Sequence, residues 1–172
     1  MITANVWERV VHIVCGAASE TGFTIDHGGV PYLITARHVV DGSDPIQIRV
    51  RGSVVSVNSV RLSIPIADAD IAVFRLDREI TPSGLPLPIG SDGMVFGQDG
   101  YFLGFPLGLR FDIGPEYLPL VKRCTPSALS RIGGRSVLLL DGWNNPGFSG
   151  SPVVFRQVSS LGTQVSEPTE RP

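Results

Sequence analysis

Hydrophobic residues in this chain fall in short runs broken by glycine, proline and small polar residues. Residues 6–14 (VWERVVHIV) are rich in β-branched side chains and predict a first strand, with His12 inside it as a strand side chain without a chemical role. Residues 16–20 are small and polar and predict a turn. Residues 22–26 predict a second strand, His27-Gly28-Gly29 a tight turn, and residues 30–35 the returning hairpin partner. His27 at that tip is expected to be exposed and idle. Residues 35–42 predict a strand end followed by a short helical turn, stopped by Asp41-Gly42. Residues 46–50 and 54–64 alternate apolar and polar positions, as strands with one buried face do. Asp70 immediately precedes a further apolar strand ending near Leu76.

Residues 77–93 (DREITPSGLPLPIGSDG) interrupt this rhythm with proline, glycine and serine and predict a linker. The boundary is placed near Leu85, giving an N-terminal half over residues 1–84 and a C-terminal half over 85–172. The second half continues with residues 94–105, 117–130, 136–141 and 153–155 as strand-forming stretches. Residues 161–172 turn polar and hold little that resembles a core. There is no internal sequence repeat. Many short strands punctuated by turns predict an all-β protein.

Composition narrows the function. The chain has 172 residues, 42% hydrophobic and 17% charged, with 20 glycines and 14 prolines, a globular rather than disordered profile. A net charge of −2 gives no electrostatic case for nucleic acid or an anionic membrane. No run is long and apolar enough to span a bilayer. Residues 1–9 lack the basic start and apolar core of a signal peptide, so a cytoplasmic location is expected. Cys15 and Cys124 make no metal-ligand spacing and are expected as buried small hydrophobes. No glycine loop is placed to cradle phosphate, no His/Cys cluster to hold a metal, and no organic cofactor is implied.

Three places carry candidate chemistry. The loop Asn144-Asn145-Pro146-Gly147-Phe148-Ser149-Gly150-Ser151-Pro152 holds a serine between two glycines. Such a setting turns the backbone tightly and leaves N–H groups free to face an oxyanion. Read by itself it is equally a turn that opens a strand. His38 stands where a strand meets a helical turn, among apolar neighbours. It is either a partly buried histidine with a backbone partner or a general base. Asp70, at the start of a strand, is expected to be substantially desolvated and to need a partner such as an imidazole N–H. Asp68 is the competitor, expected to be the more exposed of the two.

The order His38, Asp70, Ser149, with separations of 32 and 79 residues, is the chymotrypsin-like order of a Ser-His-Asp triad. Thr35-Ala36-Arg37-His38 resembles the T-A-x-H segment of trypsin-like peptidases. Asp70-Ile71-Ala72-Val73 resembles their D-I-A-[LV] segment, and Gly147-Phe148-Ser149-Gly150-Ser151-Pro152 resembles G-[DN]-S-G-[GS]-P. Gly104-Phe105-Pro106 looks like the family's G-[FY]-P turn. The resemblance runs from about Val6 to Phe155 and is nearest the bacterial HtrA-like and glutamyl-endopeptidase-like types.

It implies two six-stranded Greek-key β-barrels (chymotrypsin-like) with the active-site cleft between them. Catalytic roles would fall to His38, Asp70 and Ser149, and the oxyanion hole to the N–H groups of Gly147 and Ser149. The partner would be a peptide or protein substrate, with no metal or other cofactor. Phe148 stands where the family carries Asp or Asn, and Ser151 where Gly is commoner. Only 23 residues follow Ser149, and residues 161–172 do not match the family's next strand, so the second barrel is expected to be incomplete. No Ile-Val-Gly-Gly start is present, which implies activity without a zymogen step. Two functions remain open: a serine endopeptidase, or a catalytically inert peptidase-like domain that binds peptides or partners.

Overall fold

The computed structural model describes residues 2–15, 18–42, 45–50, 52–63, 69–81, 87, 89–113 and 116–157. The expected linker boundary near Leu85, Asp68 and residues 161–172 lie outside them. The chain opens with a helical turn, α1 (Ala4–Trp7), followed by β1 (Val10–Cys15), β2 (Ala18–His27) and β3 (Val30–Thr35). A four-residue helix, α2 (Arg37–Val40), leads to β4 (Ile46–Val50), β5 (Ser53–Val57), β6 (Ser59–Leu62) and β7 (Ala72–Leu76). The second half carries β8 (Gly100–Gly104), a 3-10 turn (Pro106–Gly108), β9 (Phe111–Ile113), β10 (Glu116–Leu118), β11 (Leu120–Ile132), β12 (Arg135–Asp141) and β13 (Val153–Phe155).

The first seven strands form one antiparallel sheet in the order β5-β4-β1-β2-β3-β7-β6. Its two end strands, β5 and β6, are separated only by Asn58. They are therefore one strand that turns a corner, pairing with β4 by its first half and β7 by its second. The sheet closes on itself as a six-membered barrel and has no free edge. β4 returns to pair with β1 after the β1-β2-β3 meander, which is the Greek-key connection. Alternation fills its interior: Val11 and Ile13, Ile46 and Ile48, and Ala72, Phe74 and Leu76 point inward from their strands with Leu33 and Val57.

The second half is a four-stranded antiparallel sheet, β12-β11-β8-β13, beside a two-stranded ribbon of β9 and β10. Among the described residues it stays open. A second apolar cluster joins the halves: Val10 meets Leu103 and Phe105, with Val6, Trp7, Phe23, Tyr101, Tyr117 and Val154 against it.

Two local expectations are corrected. Residues 6–14 are not one strand, because the N–H groups of Val6 and Trp7 both bond the carbonyl of Thr3 and close a helical turn. That turn lets Val6 and Trp7 pack into the seam between the halves. Residues 18–20 are not a turn, because pairing of Cys15 with Ala18 extends the β1–β2 ladder to that point. His27 is exposed beside the Gly28-Gly29 turn, as expected. Cys124 is a buried free thiol, its acidity reduced by burial.

Candidate active site

β3 and β7 run antiparallel with Thr35 opposite Ala72, so the chain leaving β3 lies across from the chain entering β7. This register brings His38, on α2, to Asp70. Val39 and Val40 are buried and anchor the short helix, while His38 faces outward. Asp70 takes two donors from one residue. Its Oδ1 accepts the backbone N–H of His38 at 2.9 Å, and its Oδ2 lies 2.5 Å from His38 Nδ1. The N–H of Arg37 adds a bond to the Asp70 carbonyl at 3.3 Å. With the proton on Nδ1, the carboxylate fixes the tautomer that leaves Nε2 as a base. Burial raises the Asp70 carboxyl, but the His38 N–H and imidazole, with Arg37, outweigh it and hold the group below its ordinary value. The expectation of a substantially desolvated Asp70 is corrected: the two side chains are 57% and 54% exposed, because the pair sits on the rim of the barrel.

The serine loop follows β12. Its carbonyls are held one after another. That of Asn145 accepts from Phe148 N–H at 3.3 Å, Pro146 from Leu107 N–H at 2.9 Å, and Gly147 from the Thr21 hydroxyl at 2.6 Å. Those of Phe148 and Ser149 accept from Ser151 N–H at 2.9 Å and Thr21 N–H at 3.2 Å. A planar trans peptide directs each N–H opposite the preceding carbonyl. The N–H groups of Gly147 and Ser149 are thereby turned away from the anchors that hold Pro146 and Phe148.

Two glycines are required here by space as well as by angle. Gly147 has φ 99°, and a Cβ on it would lie 2.6 Å from the Phe105 carbonyl oxygen. Gly150 has φ 82° and would collide with the Thr21 carbonyl and the Thr35 hydroxyl. Phe148, placed where the resembled family carries an acid, points inward. It is 5% exposed, tilted against Phe102 at 6.0 Å, with Lys122 Nζ 5.9 Å from its ring. Lys122 also donates to Asn145 Oδ1 at 2.5 Å, which ties the loop to β11.

Sequence reading missed three contributors. Thr21, fully buried, links the halves: its hydroxyl donates to Gly147 and accepts Phe105 N–H at 3.0 Å, while its carbonyl accepts the Thr35 hydroxyl at 2.7 Å. Leu107 supplies its N–H from a left-handed conformation, φ 55° and ψ 24°. Glu20 lies in a stretch expected to be a turn, yet it stands on β2 beside Thr21, with its carboxyl near Ser149 and His38. Burial raises the Glu20 carboxyl above its ordinary value, against the opposing pull of His38 and Ser149. The structure therefore pairs His38 with Asp70 directly and carries Ser149 on the loop that Thr21 holds. His12, the third histidine, is 5% exposed and stacked between Phe105 and Tyr117, away from this cluster. Among the described residues no three His, Cys, Asp or Glu side chains group as metal ligands, and no helix is long and apolar enough to cross a membrane.

The family model for the trypsin-like peptidase domain matches residues 20–162. Protease Do-like 1, chloroplastic, of Arabidopsis thaliana is 26% identical over 145 residues, which is 84% of this chain and 32% of that protein. Among solved structures, the HtrA-type protease AlgW with tripeptide is 24% identical at a TM-score of 0.67, covering 88% of this chain and 48% of its own. The Rv3671c protease of M. tuberculosis in its inactive form is 21% identical at 0.65, covering 88% and 74%. The chain thus spans about a third of the curated relative and about half of the AlgW chain. The structural likenesses carry the chymotrypsin-like fold.

Proposed function

The chain belongs to the trypsin-like peptidase domain family, and from that premise we propose that it is a serine endopeptidase whose working residues are His38, Asp70 and Ser149. The observation that carries this reading is the bond from His38 Nδ1 to Asp70, set beside a serine loop whose carbonyls from Asn145 to Ser149 are anchored. Ser149 Oγ attacks the peptide carbonyl carbon while His38 Nε2 takes its proton. Asp70 stabilises the imidazolium without itself taking the proton. The N–H groups of Gly147 and Ser149 receive the oxyanion, where losing one donor typically costs about 10²–10³ in rate. The tetrahedral intermediate collapses, His38 gives its proton to the leaving amine, and an acyl-Ser149 ester remains. Water then attacks that ester with His38 again as base, releasing the acid and restoring the serine. The substrate is a peptide or protein, with residues 1–84 contributing His38 and Asp70 and residues 85–172 contributing Ser149.

A fluorophosphonate probe tests the reading, since it reacts with a serine activated by its surroundings. The expected result is stoichiometric labelling of the chain, abolished by Ser149→Ala and by His38→Ala. Asp70→Asn should slow labelling by about 10³–10⁴, as loss of the tautomer-fixing carboxylate does. A folded chain that never labels would instead support a peptidase-like domain that holds peptides without turnover.

A further inference from the structure

β11 carries a lysine where its pattern asks for an apolar side chain. Cys124 and Pro126 point inward and are buried, while Val121 and Arg123 point outward and are exposed. Alternation puts Lys122 on the inward row, half-buried, beside Cys124. The ladder sets it opposite Phe102 of β8, whose ring meets Phe148 of the serine loop at 6.0 Å. The loop thus lies over the face that carries Lys122. Outward-facing Arg123 has its carboxylate, Asp99, at 2.6 Å. Lys122 has only neutral partners among the described residues: Nζ donates to Asn145 Oδ1 at 2.5 Å and stands 5.9 Å from the centre of the Phe148 ring. A half-buried cation matched only with neutral groups weakens a fold. Packing alone would exchange Val121 and Lys122, so the charge points to an anion that a ligand brings to this face.

Resting on the peptidase reading above, we propose that Lys122 is a specificity-determining residue: it receives the carboxylate of an acidic side chain on the residue whose carbonyl Ser149 attacks. That residue becomes the acyl group on Ser149, so its side chain is the part of the substrate held closest to the loop. Lys122 touches Asn145 and Phe148, four residues and one residue before Ser149. Lysine has three N–H donors, and Asn145 takes one of them. The others are available to a carboxylate, and the charge-assisted bonds so formed are the strong ones. A substrate with a lysine or arginine at the same position would bring like charges together. Lys122 gains and loses no proton in the reaction. It selects the substrate, and acyl transfer proceeds through His38 and Ser149 as before.

The experiment measures kcat/KM on peptides that differ only at the residue giving the scissile carbonyl, which is Glu, Gln, Asp, Asn or Lys, with fluorophosphonate labelling alongside. In the better-cleaved of the two acid–amide pairs, the parent chain should favour the acid by about 10–100-fold, and it should cleave the lysine peptide most slowly. Lys122→Gln keeps a donor for Asn145 and removes the charge. Its acid-to-amide ratio should fall to about one, whatever happens to the absolute rates, while Lys122→Arg should keep the preference. The ratio separates charge recognition from a merely structural tie, which would slow all five peptides together. A parent that takes the probe but cleaves acid and amide alike, cleaves none of the peptides, or prefers an acid only at another position overturns the inference and leaves the peptidase reading standing. A preference that survives in Lys122→Gln also overturns it. A folded parent that neither labels nor cleaves sinks the peptidase reading itself, and this inference with it.

Discussion

At the scale of single residues, Thr21 does most to join the two halves. Its hydroxyl, fully buried, accepts from Phe105 N–H and donates to Gly147, both in the second half. Thr21→Val keeps the shape and removes the hydroxyl, leaving a donor and an acceptor unpaired in the interior. Each such group costs about 1–3 kcal/mol, so the variant should lose about 2–6 kcal/mol in urea denaturation. Thr21→Ser retains the hydroxyl and should recover most of that loss. Probe labelling of Thr21→Val should fall more than stability alone requires, because the freed Gly147 carbonyl no longer fixes the loop that presents Ser149. His38 and Asp70 form the opposite case. Their contact is made by local register on the barrel rim, and their exposure makes the bond one of geometry more than of burial.

At the scale of elements, the 3-10 turn after β8 is built around Leu107, the described non-glycine residue with positive φ. Its side chain is 65% exposed, so packing does not offset the left-handed backbone. What holds it there is the N–H bond to the Pro146 carbonyl, which orients the peptide preceding Gly147. An L-residue in this region costs about 1–2 kcal/mol. Leu107→Gly should therefore gain about 1 kcal/mol in chemical denaturation, while Leu107→Ala, with the same backbone penalty, should gain nothing. The turn also marks where sequence stops being legible. Strands β4 and β5 could be read from local alternation and β3, β7, β8, β11 and β12 from short strand-forming runs, and the motifs around His38, Asp70 and Ser149 lie on short contiguous segments. Thr21 acts across the halves, its bond to Gly147 spanning 126 residues, and Leu107 acts on a distant segment of its own half; no local pattern of apolar and polar positions encodes such contacts. The helical turn Ala4–Trp7 escaped for the same reason: Val6 and the β-branched residues after the turn favour a strand, and burial of Val6 and Trp7 against the second half overrides them.

At the scale of the whole molecule, a closed barrel is joined to a sheet that stays open among the described residues, by a seam that contains a titratable group. His12 stacks on Phe105 at 4.9 Å and on Tyr117 at 5.5 Å, and its Nδ1 lies 3.0 Å from the Tyr117 hydroxyl. Burial first, then Arg49 and Arg110, bring its pKa down from 6.5 to about 4. The folded chain therefore resists protonation at His12 while the unfolded chain accepts it. Stability from this group is fully present above about pH 6.5 and is lost as pH falls toward 4, worth about 3 kcal/mol across that window. Urea midpoints measured from pH 7 to pH 4.5 should fall accordingly, beyond what the carboxylates contribute. His12→Gln removes the charge that must be buried and should flatten this part of the profile, at some cost in stability at pH 7 from the changed ring packing. Because Phe105 also donates its N–H to Thr21, and Thr21 holds the Ser149 loop, acid should loosen the loop as the seam opens. Probe labelling in this pH range should then decline more steeply for the parent chain than for His12→Gln. A common slope would separate the loop's acid sensitivity from His12.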